Sequence, residues 1–135
     1  MNGRGIKCNV SPAILALDAA SPLRPAAALN QDGTLNEETN PAQPSQVLTL
    51  YLTGQGTELT PPGGGLPPET AKRPVVFFRT WPGETLFSGP LDHPPGLWQI
   101  NVRVPGNEDL LPGATPIVVL FDGLASNTAV VWVGP

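Results

Sequence analysis

Large apolar residues recur at every second position along the final third of the chain. Trp98, Ile100, Val102 and Val104 alternate there with Gln99, Asn101 and Arg103, the period of a strand with one buried face. Pro105-Gly106 breaks that run, Ile117 to Phe121 makes a second, Asp122-Gly123 turns the chain, and Asn127 to Val133 makes a third. Three strands are therefore predicted, with no room for a helix. Earlier in the chain, Leu48, Leu50 and Leu52 alternate with Thr49, Tyr51 and Thr53. These residues are favoured on a pleated surface and predict a central strand over 47–53.

Shorter runs fill the rest. Ala13 to Leu17 and Pro25 to Leu29, separated by Ser21-Pro22, have the length of edge strands. Asn30-Gln31-Asp32-Gly33-Thr34 predicts a turn, because Asp-Gly tolerates positive φ. Asn36 to Ser45 is polar with two prolines and reads as a loop. Pro74 to Thr80 and Glu84 to Ser88 form a further pair of strands, split by Trp81-Pro82-Gly83 as a hairpin connection. The Gly- and Pro-rich stretch from Gly54 to Pro74 reads as a long loop, mobile or ligand-binding. Residues 1–10 have no apolar period and read as a flexible tail or linker, which leaves 11–135 as the folded unit. The reading is all-β: an antiparallel sandwich of about seven to eight strands with immunoglobulin-like architecture, lacking the Cys-Trp-Cys signature of antibody domains.

Composition narrows this further. With 135 residues, 40% of them hydrophobic and 13% charged, the chain supports one core. The net charge is −4, and seven basic residues are scattered singly from Arg4 to Arg103. No positive stripe exists for a phosphate backbone, so no nucleic acid partner is expected. No run approaches the ~20 apolar residues of a membrane span, and the Ile14–Leu17 run stops at Asp18, too early for a signal-peptide core. A single cysteine, Cys8, leaves no internal disulfide and reads as an inert thiol. No cofactor is implied.

Four groups of residues carry candidate chemistry. Asn30, Asp32 and Asn36 resemble part of a calcium loop, with spaced oxygens and a glycine for the sharp turn, but the first acidic ligand and the bidentate carboxylate are missing. A plain Asp-Gly turn with Asn side chains bonding the backbone accounts for the same residues. Asp92-His93 with nearby Ser88 invites a nucleophile and base, yet neighbours on an extended segment point to opposite sides, so His93 reads as an exposed loop residue and no enzyme is expected. Trp81, Trp98 and Trp132 offer indole faces for sugar rings. Trp98 and Trp132 lie in strands and read as core or sheet-surface packing, which leaves Trp81, with Arg79 and His93, as the candidate ligand-binding set. The pairs Glu37-Glu38 and Glu108-Asp109 read as solvated loop carboxylates.

Five blocks follow one another along the chain: 26–36 (Ala-Ala-Ala-Leu-Asn-Gln-Asp-Gly-Thr-Leu-Asn), 40–42 (Asn-Pro-Ala), 50–56 (Leu-Tyr-Leu-Thr-Gly-Gln-Gly), 95–105 (Pro-Gly-Leu-Trp-Gln-Ile-Asn-Val-Arg-Val-Pro) and 123–127 (Gly-Leu-Ala-Ser-Asn). In this order they resemble the uncharacterised carboxy-terminal domain common on large exported proteins of acidobacteria. The resemblance covers about 11–133 and implies an immunoglobulin-like sandwich in an extracellular or cell-surface setting, with no assigned catalysis. The expected function is a structural or protein-interaction module that recognises a protein partner through end loops, or self-associates through a strand edge, with the tail before Ser11 as a source of the added strand. The alternative is a carbohydrate-binding or adhesive module built on Trp81 and the Gly/Pro-rich loop.

Overall fold

Residues 12–18, 20–53, 59–60, 69–70, 73–91, 97–106, 109–121 and 123–135 are described by the computed structural model. Among them are twelve strands and no helix: β1 (Ala13–Ile14), β2 (Ala28–Leu29), β3 (Val47–Thr53), β4 (Leu59–Thr60), β5 (Glu69–Thr70), β6 (Val75–Phe78), β7 (Trp81–Pro82), β8 (Glu84–Pro90), β9 (Leu97–Arg103), β10 (Gly113–Phe121), β11 (Leu124–Ala125) and β12 (Ala129–Val133). Two antiparallel five-stranded sheets pack face to face, and β4 and β5 form a separate two-stranded ribbon. The fold is an all-β sandwich.

The long strands set the register. In the first sheet β3 pairs with β9 over seven positions, from Val47↔Arg103 to Thr53↔Leu97. On its other edge β3 carries β1 and β2 in succession, and β8 flanks β9. In the second sheet β10 pairs with β6 on one edge and with β12 and β11 on the other, and β7 folds back on β6. Because side chains alternate along a strand, each sheet turns one mainly apolar face inward, with Ser88 and Thr115 as its buried polar exceptions. Leu48, Leu50, Leu52, Trp98, Ile100 and Val102 from one sheet meet Val76, Phe78, Ile117, Val119, Phe121 and Val131 from the other, all essentially without solvent contact. Twenty buried apolar residues form this one cluster.

One side of the sandwich is closed by hydrogen bonds. The Ala27 N–H donates to the Leu15 carbonyl and the Leu15 N–H to the Tyr51 carbonyl, which ties 25–27 to the first sheet. The same stretch reaches the second sheet, where Pro25 pairs in parallel with Val130 and the Ala26 N–H donates to the Val130 carbonyl at 2.8 Å. A few residues later Ala42, fully buried, lies parallel to Val133. The chain thus changes sheets between Ala26 and Ala28.

Two local readings change. The connection placed at Trp81-Pro82-Gly83 falls two residues earlier: Phe78 pairs with Trp81, so Arg79-Thr80 is the turn, with Arg79 at φ 59. Trp81-Pro82 is strand through its pairing with Phe77-Phe78, continued by the Gly83 N–H bond to the Val76 carbonyl, while the Arg79 N–H ties the turn to the Pro116 carbonyl of β10. The polar stretch 36–45 is a loop as expected, and within it Ala42 is buried against the core. The Gly/Pro-rich stretch contains the ribbon Leu59↔Thr70 and Thr60↔Glu69, and the rest of 54–72 lies outside the described residues. So do the tail through Ser11, Cys8 within it, and Asp92-His93.

Candidate functional site

The Asn-rich turn after β2 builds the most organised polar region. Asn30 begins it: its N–H donates to the Thr34 carbonyl at 2.7 Å, and Gly33 takes φ 87, as the Asp-Gly pair predicts. Exposed Asp32 accepts from the Thr34 N–H at 3.0 Å and from the Thr34 hydroxyl at 2.5 Å. The hydroxyl bond, followed by the N–H bond, lowers the Asp32 carboxyl below the ordinary carboxylate range. Asn36 is buried at 1% exposure. Its Oδ1 accepts from the Trp132 N–H at 2.8 Å, and its Nδ2 donates to the Trp132 carbonyl and to Asn30 Oδ1, both at 2.9 Å. A side-chain amide here replaces one peptide unit of a neighbouring strand along β12.

Oxygens named in the calcium reading accept hydrogen bonds within this turn. Asn30 Oδ1 is held by Asn36, Asn36 Oδ1 by the Trp132 backbone, and one Asp32 oxygen by Thr34. Among the described residues no three His, Cys, Asp or Glu side chains gather as a metal set. Asn30, Asp32 and Asn36 build a hydrogen-bonded turn. Asn40 extends it, with its Nδ2 donating to the Leu35 carbonyl at 2.9 Å and to Thr34 Oγ1 at 2.8 Å.

The turn presents a cleft. Glu37 and Asn40 exchange backbone hydrogen bonds, which fixes Glu37-Glu38 opposite Trp132. Trp132 lies on the outer face of β12, half-buried, because Ala129, Val131 and Val133 take the inner face. Leu17 and Pro25 complete the wall, tied together by the Leu17 N–H bond to the Pro25 carbonyl at 2.8 Å. Leu17, Pro25, Asn36, Glu37, Glu38 and Trp132 enclose about 250 Å³, open to solvent on one side. Both carboxylates are exposed, and neither has an ion-pair or hydrogen-bond partner among the described residues.

The other sequence candidates lie elsewhere. Trp81, expected exposed in a turn, is half-buried on β7 and packs against the core. Arg79 is exposed, with Nη2 donating to the Ala114 carbonyl at 2.9 Å, so it fastens the β6–β7 turn onto β10. Ser88 is buried in β8 opposite Ile100. His93 lies outside the described residues, and Trp81 and Arg79 both sit on the β6–β7 hairpin. Trp98 is core, as its alternation indicates, with its ring 5.2 Å from that of Phe121. The sequence reading missed the cleft, although it noticed each member singly: Glu37-Glu38 as solvated carboxylates, Trp132 as sheet packing. Its signal lies in the outward phase of Trp132 along β12, a position where a large indole has no core to fill.

Comparison with family models, curated proteins and solved structures finds no match for this chain.

Proposed function

We propose that the chain is a non-catalytic β-sandwich module of immunoglobulin-like type, through which an exported or cell-surface bacterial protein engages a protein partner. The observation that carries this reading is the cleft beside Trp132. It combines an indole face, two aliphatic walls and two unpaired carboxylates on a backbone already fixed by the Asn36 bonds. Preorganised apolar surface with a polar rim favours docking, because little side-chain or loop entropy is lost on contact. Aromatic anchors that become buried on contact dominate binding energy at protein interfaces. The exported setting rests on the resemblance of the five sequence blocks.

The experiment is crosslinking in the source cells. A photo-crosslinking amino acid is placed at Leu17 or Glu38 on the cleft, and at Leu124, which is 48% exposed at the other end of the β10–β12 hairpin. The expected result is a discrete protein adduct from a cleft position, recovered in the surface or extracellular fraction. Recovery of the chain only from cytoplasm, or no adduct from any position, overturns the reading.

A further inference from the structure

We infer that the Trp132 cleft receives a lysine or arginine side chain presented by the partner protein. This rests on the interaction-module reading and adds the chemistry of what is bound. The lining decides it. Asn36, the one amide in the wall, has its Oδ1 and Nδ2 committed to Trp132 and Asn30, so it offers no recognition bond without releasing β12. The remaining polar side-chain groups are the Trp132 indole N–H, a single neutral donor, and the Glu37 and Glu38 carboxylates, which only accept hydrogen bonds and carry two negative charges. A sugar hydroxyl can donate to these carboxylates but leaves both charges uncompensated. An ammonium or guanidinium supplies donors alone and neutralises them.

The apolar half of the cleft fits the same occupant. Lysine and arginine carry an aliphatic stem that packs on hydrocarbon while the charged head stays at the polar rim. Leu17 and Pro25 provide that hydrocarbon and Trp132 provides an aromatic face, to which cations are attracted within ~6 Å of the ring centre. The volume of about 250 Å³ lies below the ~300–1,000 Å³ of small-molecule pockets, which suits one side chain rather than a drug-sized ligand. Exposed Asp18 beside Leu17 and the net charge of −4 act in the same sense, while exposed Arg24 beside Pro25, which does not line the cleft, acts against it.

The test is an amide and indole NMR titration of the intact chain with a capped Gly-Gly-Lys-Gly-Gly peptide and its arginine counterpart. The same peptide with norleucine at the centre, and glucose, serve as comparisons. The expected result is saturable, millimolar binding that shifts the Trp132 indole and the 37–38 amides, with norleucine and glucose silent. The Glu37→Gln/Glu38→Gln double variant weakens binding by about tenfold or more, and raising salt weakens the parent in the same direction. The salt series on the unaltered chain keeps the test valid if the double variant misfolds. Equal binding of norleucine, shifts with glucose in place of lysine, or silence with both cationic peptides overturns the inference. If the peptides fail while the cleft positions still crosslink to a protein in cells, the cationic occupant falls and the interaction reading stands. Loss of all crosslinks removes both.

Discussion

At the residue scale, Trp98 shows how a core tolerates one polar atom. Among the described residues its side chain is the largest of those fully buried, and its Nε1 has no hydrogen-bond partner. An orphaned buried donor costs ~1–3 kcal/mol, which offsets part of what the indole gains by filling space. Trp98→Phe removes the donor along with some volume and is expected to change stability by only about 1 kcal/mol, whereas Trp98→Ala is expected to cost ~3–5 kcal/mol. Urea unfolding of both variants checks this, and equal losses would show that Nε1 is satisfied after all. Asp32 gives a second expectation. Its carboxyl is depressed by the Thr34 hydroxyl first and the Thr34 N–H second. A carboxyl with a lowered folded value contributes stability that is present above its unfolded value and is lost as pH falls through the depressed one. Asp32→Asn is therefore expected to be less stable than the parent near neutrality and to converge with it in acid. A constant gap across that window would mean that the hydroxyl bond does not depend on ionisation.

At the element scale, the alternating runs were legible because each long strand buries one face. Leu48, Leu50, Leu52, Ile100 and Val102 sit inward, as their period requires. The β6–β7 turn was misplaced because Arg79, a non-glycine residue, takes positive φ, whereas Trp-Pro-Gly is the stronger turn pattern. Gly83 has another role. A Cβ there would lie 2.8 Å from the Arg103 carbonyl oxygen and 2.7 Å from Val102 Cγ2, so the glycine lets β8 begin against β9. Gly83→Ala is expected to cost ~1–3 kcal/mol by overpacking, read as a lowered thermal midpoint. The open edges also bear on self-association. β8 carries a register shift between Thr85 and Phe87, its Thr85 carbonyl accepts from Arg73 Nη1 at 3.0 Å, and it ends on Pro90. β7 has two residues, one of them Pro82. Bulges, short edges and prolines are the usual means of blocking strand addition. Light scattering is expected to show a monomer, and a concentration-dependent dimer abolished by changes in β8 would reverse this view.

At the scale of the whole molecule, the cleft was illegible because its two halves lie almost a hundred positions apart in the chain. Period-two reasoning says which way Trp132 points, but it cannot say that Asn36 will lie across it. That contact depends on the chain changing sheets between Ala26 and Ala28, a step made by main-chain bonds at Pro25 and Ala26 that leaves no side-chain pattern. Asn127 repeats the device at β1. Its Oδ1 accepts from the Ile14 N–H at 2.7 Å and its Nδ2 donates to the Ile14 carbonyl at 3.2 Å, joining the segment before β12 to the first sheet. With the apolar cluster shared between both sheets and one side closed by such bonds, neither sheet can open without exposing the other. Unfolding should therefore be a single transition. The three tryptophans make this measurable, since Trp98 reports the first sheet, and Trp81 and Trp132 report the second. A variant keeping only Trp98 and a variant keeping only the other two should each show fluorescence coinciding with its own circular dichroism. Asn127→Ala is expected to cost ~1–3 kcal/mol and to move the fluorescence of both reporter variants by the same amount. If only the Trp98 signal moves, the first sheet melts by itself and the side closure is a contact between two units rather than a seam within one.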